Sequence, residues 1–159
     1  MYMKKNHGFT MVELMVTVAI MGVLASIIGI TMGILLGQRV KSMAADTKSV
    51  LQSTQTVALT RDDAFVRLSQ NGSDAIIVAY SAAGKEINRA EGHDVQMYVT
   101  IGGTETLVTS GVEIHFDRQT GGLKPQTVGG NDYVSQIRIT NGKRNVTLKI
   151  SKLTGKVTY

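Results

Sequence analysis

Hydrophobic positions crowd the first quarter of the chain, and their spacing then changes twice. From Leu14 to Gly37 no residue carries a charge. As a helix rising about 1.5 Å per residue, this run reaches about 36 Å, enough to cross the hydrocarbon core of a bilayer. About a dozen Leu, Ile and Val residues within it favour insertion by roughly 0.3 to 0.6 kcal/mol each. Glu13, at the head of the run, works against insertion by up to about 3 kcal/mol at the bilayer centre and by less near a helix end. An acid in that position is expected to have a function, with an amine at the same depth as its partner. Small residues recur four apart within the run, at Gly22 and Ser26 and then at Gly29, Gly33 and Gly37. Such a stripe lets a second helix approach closely, although glycine is also common in membrane helices generally.

Beyond Gly37 the pattern becomes amphipathic without a break. Val40, Met43, Ala44, Val50, Leu51, Val57 and Ala58 recur at three- and four-residue spacing, with Thr47 and Thr54 in the same stripe. Lys41, Asp46, Lys48, Gln52 and Gln55 occupy the other face. One helix from about Phe9 to about Leu59 is therefore predicted, half apolar all round and half pressed on a globular domain. After Arg61-Asp62-Asp63 the period falls to two. Phe65–Gln70 and Ala75–Tyr80 flank Asn71-Gly72, and Val95–Ile101 and Glu105–Thr109 flank Gly102-Gly103, two hairpin signals. A further strand runs through Val112, Ile114 and Phe116, and Gln119–Asn131 reads as an irregular loop. Tyr133–Thr140, Asn145–Ser151 and Gly155–Tyr159 form a meander whose inward set is Ile137, Ile139, Val146, Leu148, Ile150 and Val157. The predicted fold class is α+β: a long N-terminal helix packed on a C-terminal antiparallel sheet.

Composition narrows this further. A chain of 159 residues, 43% hydrophobic and with a mean hydropathy of +0.06, has room for one small domain beside a membrane segment. It has no cysteine, which excludes disulfides, thiol chemistry and a lipidated N-terminal cysteine. The expected divisions are a leader at 1–8, a membrane and packing helix at 9–37, its amphipathic continuation at 38–60, and a β-rich domain at 61–159.

The residues before the run carry a resemblance. Lys4-Lys5-Asn6-His7-Gly8 followed by Phe9-Thr10-Met11-Val12-Glu13-Leu14 is similar to the prepilin signal of type IV pilins and type II secretion pseudopilins. The resemblance implies cleavage between Gly8 and Phe9 by a prepilin peptidase and N-methylation of Phe9. It further implies that Glu13 pairs with the terminal amine of a neighbouring subunit in a filament raised on an assembly platform protein. It places the N-terminus in the cytoplasm, a choice that Lys4 and Lys5 before the run and Arg39 and Lys41 after it leave open. An uncleaved signal anchor with a stray acid is the plainer alternative. Within the family, Phe116-Asp117 and Thr154-Gly155-Lys156 resemble minor pseudopilins of the GspH/FimT kind.

No catalytic constellation and no cofactor site is expected. His93 sits in a polar turn and His115 in the outward phase of a strand, and neither belongs to a zinc-spaced set. Asp117 with Asn131 and Asp132 could supply oxygens to calcium. Asn71-Gly72-Ser73 and Asn145-Val146-Thr147 match a glycosylation triplet that arises easily by chance. Charge says more: from Tyr133 onward Arg138, Lys143, Arg144, Lys149, Lys152 and Lys156 occur without an acid, against a net charge of +5 for the chain. Such a meander could present a contiguous basic surface to DNA or another polyanion, the alternative to a purely structural subunit.

Overall fold

The computed structural model describes residues 9–60, 63–109, 111–126 and 131–159, with the side chains of 27–36 left aside. The described residues form an α+β structure, as the sequence predicts: among them are one helix, α1 (Met11–Thr60), and nine antiparallel strands. The chain divides into two compact units, Met1–Leu35 and Leu36–Tyr159. The second half of α1 thus belongs with the strands.

In the first unit the helix begins at a cap. The Thr10 hydroxyl accepts from the Glu13 backbone N–H (3.2 Å) and the Thr10 carbonyl from that of Leu14 (3.2 Å). Thr10-x-x-Glu13 is therefore a capping-box sequence, with Glu13 in the first turn, where the helix dipole favours an anion. From Met11 to Ser26 every residue is exposed.

In the second unit Val40, Met43, Ala44, Thr47, Val50, Leu51, Thr54 and Ala58 are buried, the stripe predicted from their spacing. Two sheets meet this stripe, where a single one was expected. The first has the order β3-β2-β1-β6, with β1 (Phe65–Asn71), β2 (Asp74–Tyr80), β3 (Glu86–Gly92) and β6 (Val112–His115). The second has the order β5-β4-β7-β8-β9, with β4 (Gln96–Ile101), β5 (Thr104–Leu107), β7 (Val134–Thr140), β8 (Asn145–Ile150) and β9 (Val157–Thr158). Val66, Leu68, Ile77 and Ile114 from the first sheet join Met97, Val99, Ile137, Ile139 and Leu148 from the second and the helix stripe in one core. Of the predicted inward set in the meander only Val146 is half-buried; the rest are buried.

Both hairpins form, with one shift of register. Asn71 pairs with Asp74, so the first loop is Gly72-Ser73, one residue beyond the predicted turn. Glycine takes the first central position at φ 61°, which a hairpin turn of this kind needs and Asn71 avoids. β3 lies outside the strands the sequence predicts: Glu-Ile-Asn-Arg-Ala-Glu-Gly shows no apolar face, because it is an edge strand with one neighbour. All four sheet edges are polar or short. β3 carries Glu86, Arg89 and Glu91; β5 is exposed throughout and carries Glu105; β6 and β9 have 4 and 2 residues.

Candidate functional site

At the N-terminal end the described residues begin at Phe9, which is 77% exposed, so Gly8 and its bond to Phe9 lie outside them. Apolar side chains surround the helix axis from Met11 to Leu24, none less than half exposed among Met11, Val12, Leu14, Met15, Val16, Val18, Ile20, Met21, Val23 and Leu24. Thr17 on this stretch and Ser26 just beyond it turn their hydroxyls into the helix itself: Thr17 donates to the Leu14 carbonyl (2.8 Å) and Ser26 to that of Gly22 (2.8 Å). Glu13 is the only ionisable group there. A helix apolar on every side is stable only when something apolar covers it, a membrane or other helices. Among the described residues no helix is long and apolar enough to cross a membrane. The side chains at 27–36, within the predicted span, fall outside them.

The predicted small-residue stripe is described only in part. Gly22 is open, with nothing within 4 Å of where a Cβ would stand. Gly29 and Gly33 fall among the residues whose side chains are not described. Gly37 is buried beneath Arg144, whose Cδ, Nε and Cζ lie 3.1 Å from a Cβ built on the glycine.

The cations of the meander that could form a basic surface are Arg138, which is paired with an acid, and two groups at the turns on either end of β8. Arg138 donates from Nε (2.6 Å) and a terminal nitrogen (2.8 Å) to the two oxygens of Glu105, and its guanidinium lies 4.2 Å from the Tyr98 ring centroid. The segment lacks an acid, but sheet pairing supplies one from β5, two strands away. The Lys152 ammonium sits 4.1 Å over Tyr133. Lys143 and Arg144 occupy the β7–β8 turn, whereas Lys152 and Lys156 flank the β8–β9 turn at the opposite end of β8. Six residues of strand separate them, about 20 Å. Lys149 is exposed between the two groups, toward the second.

Other candidates are tied into local structure. One Asp117 oxygen accepts from the N–H groups of Gln119 (3.0 Å) and Thr120 (2.9 Å) and from the Thr120 hydroxyl (2.9 Å), closing a turn. His93 Nδ1 is 3.0 Å from Asp74, and His115 Nε2 is 3.2 Å from Glu113 and stacked on Phe65 with ring centroids 4.9 Å apart. Among the described residues no cluster of three or more His, Asp or Glu is placed to hold a metal ion.

One junction leaves no mark in the sequence. Gln55 on α1 donates to the carbonyls of Gly121 (2.8 Å) and Thr154 (2.6 Å). Phe116 bridges to Leu123, whose N–H donates to the Lys152 carbonyl (2.9 Å). The Phe116-Asp117 and Thr154-Gly155-Lys156 motifs, 38 positions apart from Phe116 to Thr154, therefore meet at the helix end. No periodicity marks Gln55, which reads as one more polar residue on the outer face.

These anchors set a pH response. The Thr120 backbone N–H, then its hydroxyl and the Gln119 N–H, hold the Asp117 carboxyl below its usual value of 3.8; the Arg138 hydrogen bond likewise lowers Glu105, and the Arg67 bond lowers Glu113. A carboxyl whose folded pKa is depressed stabilises above its unfolded value, and that stabilisation is lost as pH falls through the folded value. Thermal midpoints are expected to be flat from neutrality to about pH 5 and to fall below about pH 4. Asp117→Asn should shrink that acid-limb decrease, measured by calorimetry; an unchanged acid limb would remove Asp117 from the account.

Comparison with protein families finds that residues 3–29 match the model described as "Prokaryotic N-terminal methylation motif". The curated proteins and the solved structures yield no match. The matched segment contains the Gly8–Phe9 bond, Thr10 and Glu13.

Proposed function

We propose that the chain is a pilin-like structural subunit, a minor pseudopilin or pilin, and not an enzyme. A prepilin peptidase removes residues 1–8 and methylates Phe9, and the mature subunit passes from the cytoplasmic membrane into a filament of like subunits. In this reading α1 crosses the membrane once with its N-terminus in the cytoplasm, and the second unit lies on the far side. An assembly platform protein feeds the subunit into a type II secretion or type IV pilus filament.

The observation that carries the proposal is the helix apolar on every side with one acid in its first turn, lying within the methylation motif. Water cannot be the medium for such a surface, and lipid alone gives the acid no partner. Cleavage before Phe9 would create an ammonium on each chain, and a carboxylate and an ammonium cost far less together than apart in an apolar setting. Stacked copies place one chain's amine against the next chain's Glu13, with Gly22 and Ser26 offering a close-packing surface. The GspH/FimT resemblance is supported by the meeting of its two short motifs beside Gln55.

The test is the mass of the mature chain. In cells with an active prepilin peptidase, intact-mass spectrometry is expected to find the chain beginning at Phe9 and carrying one added methyl group. A chain still beginning at Met1 would overturn the proposal and leave a tethered β domain.

A further inference from the structure

We propose that Lys41, Lys143 and Arg144 form a cradle for the phosphate of an anionic phospholipid head group. Together with Gly37, Val40 and Val146 they line a concavity of about 310 Å³ that contains no acid. The inference rests on the membrane reading above.

Seven of the other cations among the described residues have a carboxylate or ring partner, whereas Lys85, Lys149 and Lys156, like these three, have none; what distinguishes these three is the hollow they share. Arg39 is bonded to Asp94, Arg67 to Glu113, Arg89 to Glu91, Arg138 to Glu105 and Lys124 to Asp63. Lys48 and Lys152 lie over the rings of Tyr159 and Tyr133. Lys41, Lys143 and Arg144 have neither a carboxylate nor a ring among the described residues, yet they converge. Three cations left together repel one another unless an anion joins them. Isolated surface lysines are ordinary; here an arginine and two lysines from segments a hundred residues apart line one hollow.

The hollow is built in advance. The Asn141 side-chain oxygen accepts from the N–H groups of Lys143 (3.1 Å) and Arg144 (2.8 Å), and the Thr140 hydroxyl donates to the Arg144 carbonyl (2.9 Å). These bonds fix the turn that carries both cations. Gly37 supplies the floor: with no side chain, it lets the Arg144 guanidinium lie against the helix. A guanidinium forks onto phosphate oxygens, and two ammonium groups beside it add point charge.

The phosphate's source follows from position in the chain. Gly37 ends the uncharged run and also lines the hollow, and Lys41 is the first cation beyond that run without a carboxylate partner. A span ending at Gly37 brings the hollow to head-group depth, where each added Lys or Arg contributes roughly fivefold to attraction for anionic lipid. The Lys152 and Lys156 group, at the far end of β8, lacks this relation.

The experiment uses the full chain in detergent micelles containing dioleoylphosphatidylglycerol or dioleoylphosphatidylcholine, with lipid retention counted by native mass spectrometry. Retention of phosphatidylglycerol over phosphatidylcholine is expected, falling at least about tenfold in K41Q/K143Q/R144Q. K85Q/K149Q/K156Q, which removes the same charge elsewhere, should retain it as the native chain does. Equal retention of both lipids by the native chain, or equal loss in both triple variants, would overturn the cradle. Flotation with phosphatidylcholine vesicles reads insertion separately: a chain that fails to float has lost the membrane reading itself. Two competitors separate the sources. Displacement of phosphatidylglycerol by millimolar inorganic phosphate would identify a free-anion site, and displacement by a single-stranded oligonucleotide a polyanion site; either overturns the lipid assignment. Arg144→Lys, which keeps the charge and loses the fork, should give an intermediate effect and guards against misfolding of the triple variant.

Discussion

Replacing Glu13 by alanine is expected to leave membrane insertion and leader removal intact while cutting filament incorporation about a hundredfold or more. The two halves of this result have different causes. Insertion depends on the apolar run, and removing a carboxylate from its edge makes insertion slightly more favourable. The helix loses little: the Thr10 hydroxyl still accepts the backbone N–H of residue 13, and the dipole term at an exposed first turn is about 0.3 to 1 kcal/mol. Assembly loses much more. Removing one partner of a desolvated ion pair leaves the other charge unpaired, at about 3 to 5 kcal/mol. Glu13→Gln should behave like Glu13→Ala, because the amide keeps the shape and lacks the charge. Membrane fractionation with sheared-filament blotting reads both quantities; an alanine variant found in filaments at the native level would refute the pairing.

The largest effect on stability is expected at Gly155. Its φ is 62°, and a Cβ there would stand 2.2 Å from the Gly121 carbonyl oxygen and 2.6 Å from Gln55 Nε2. Backbone and helix side chain would both have to move, breaking the bonds that join α1 to two loops. Strain at positive φ costs about 1 to 3 kcal/mol. The lost hydrogen bonds add about 1 kcal/mol each. Gly155→Ala is therefore expected to lower stability by about 3 to 5 kcal/mol and Tm by more than about 10 °C. Gly142→Ala is the comparison: its φ is 80° but nothing lies within 4 Å of the added carbon, so only the backbone strain of about 1 kcal/mol remains. Thermal unfolding of the two variants side by side checks the argument, and equal shifts would remove the contact with Gly121 as its cause.

What the sequence reveals and what it hides divides along physical lines. Periodicity is local, so the buried stripe from Val40 to Ala58, both hairpins and the inward faces of β7 and β8 are legible. Capping is local too, and Thr10-x-x-Glu13 is visible as a pattern. Partners brought together by folding are not. Glu105 reaches Arg138 across β4, and Arg144 covers Gly37, from 107 positions away. Likewise the pairing of β4 with β7 and of β1 with β6, which makes two sheets of one predicted, leaves no mark in either strand alone. β3 escapes notice for the opposite reason: an edge strand with charged side chains looks like a loop. At the candidate site the acid, the Gly8–Phe9 bond and the apolar run are all sequence-local. The cation cradle is not, because it needs the fold to bring residue 41 beside residues 143 and 144.

The unpaired borders of the two sheets bear on life in a polymer. Subunits crowded side by side at very high local concentration would fuse through any long, bare, apolar strand margin. Here Glu86, Arg89 and Glu91 guard one margin, Glu105 another, and the remaining two offer only 4 and 2 residues of backbone. In the proposed filament, contact between β domains would thus be kept from becoming a continuous ladder, and lengthwise growth would fall to the helices.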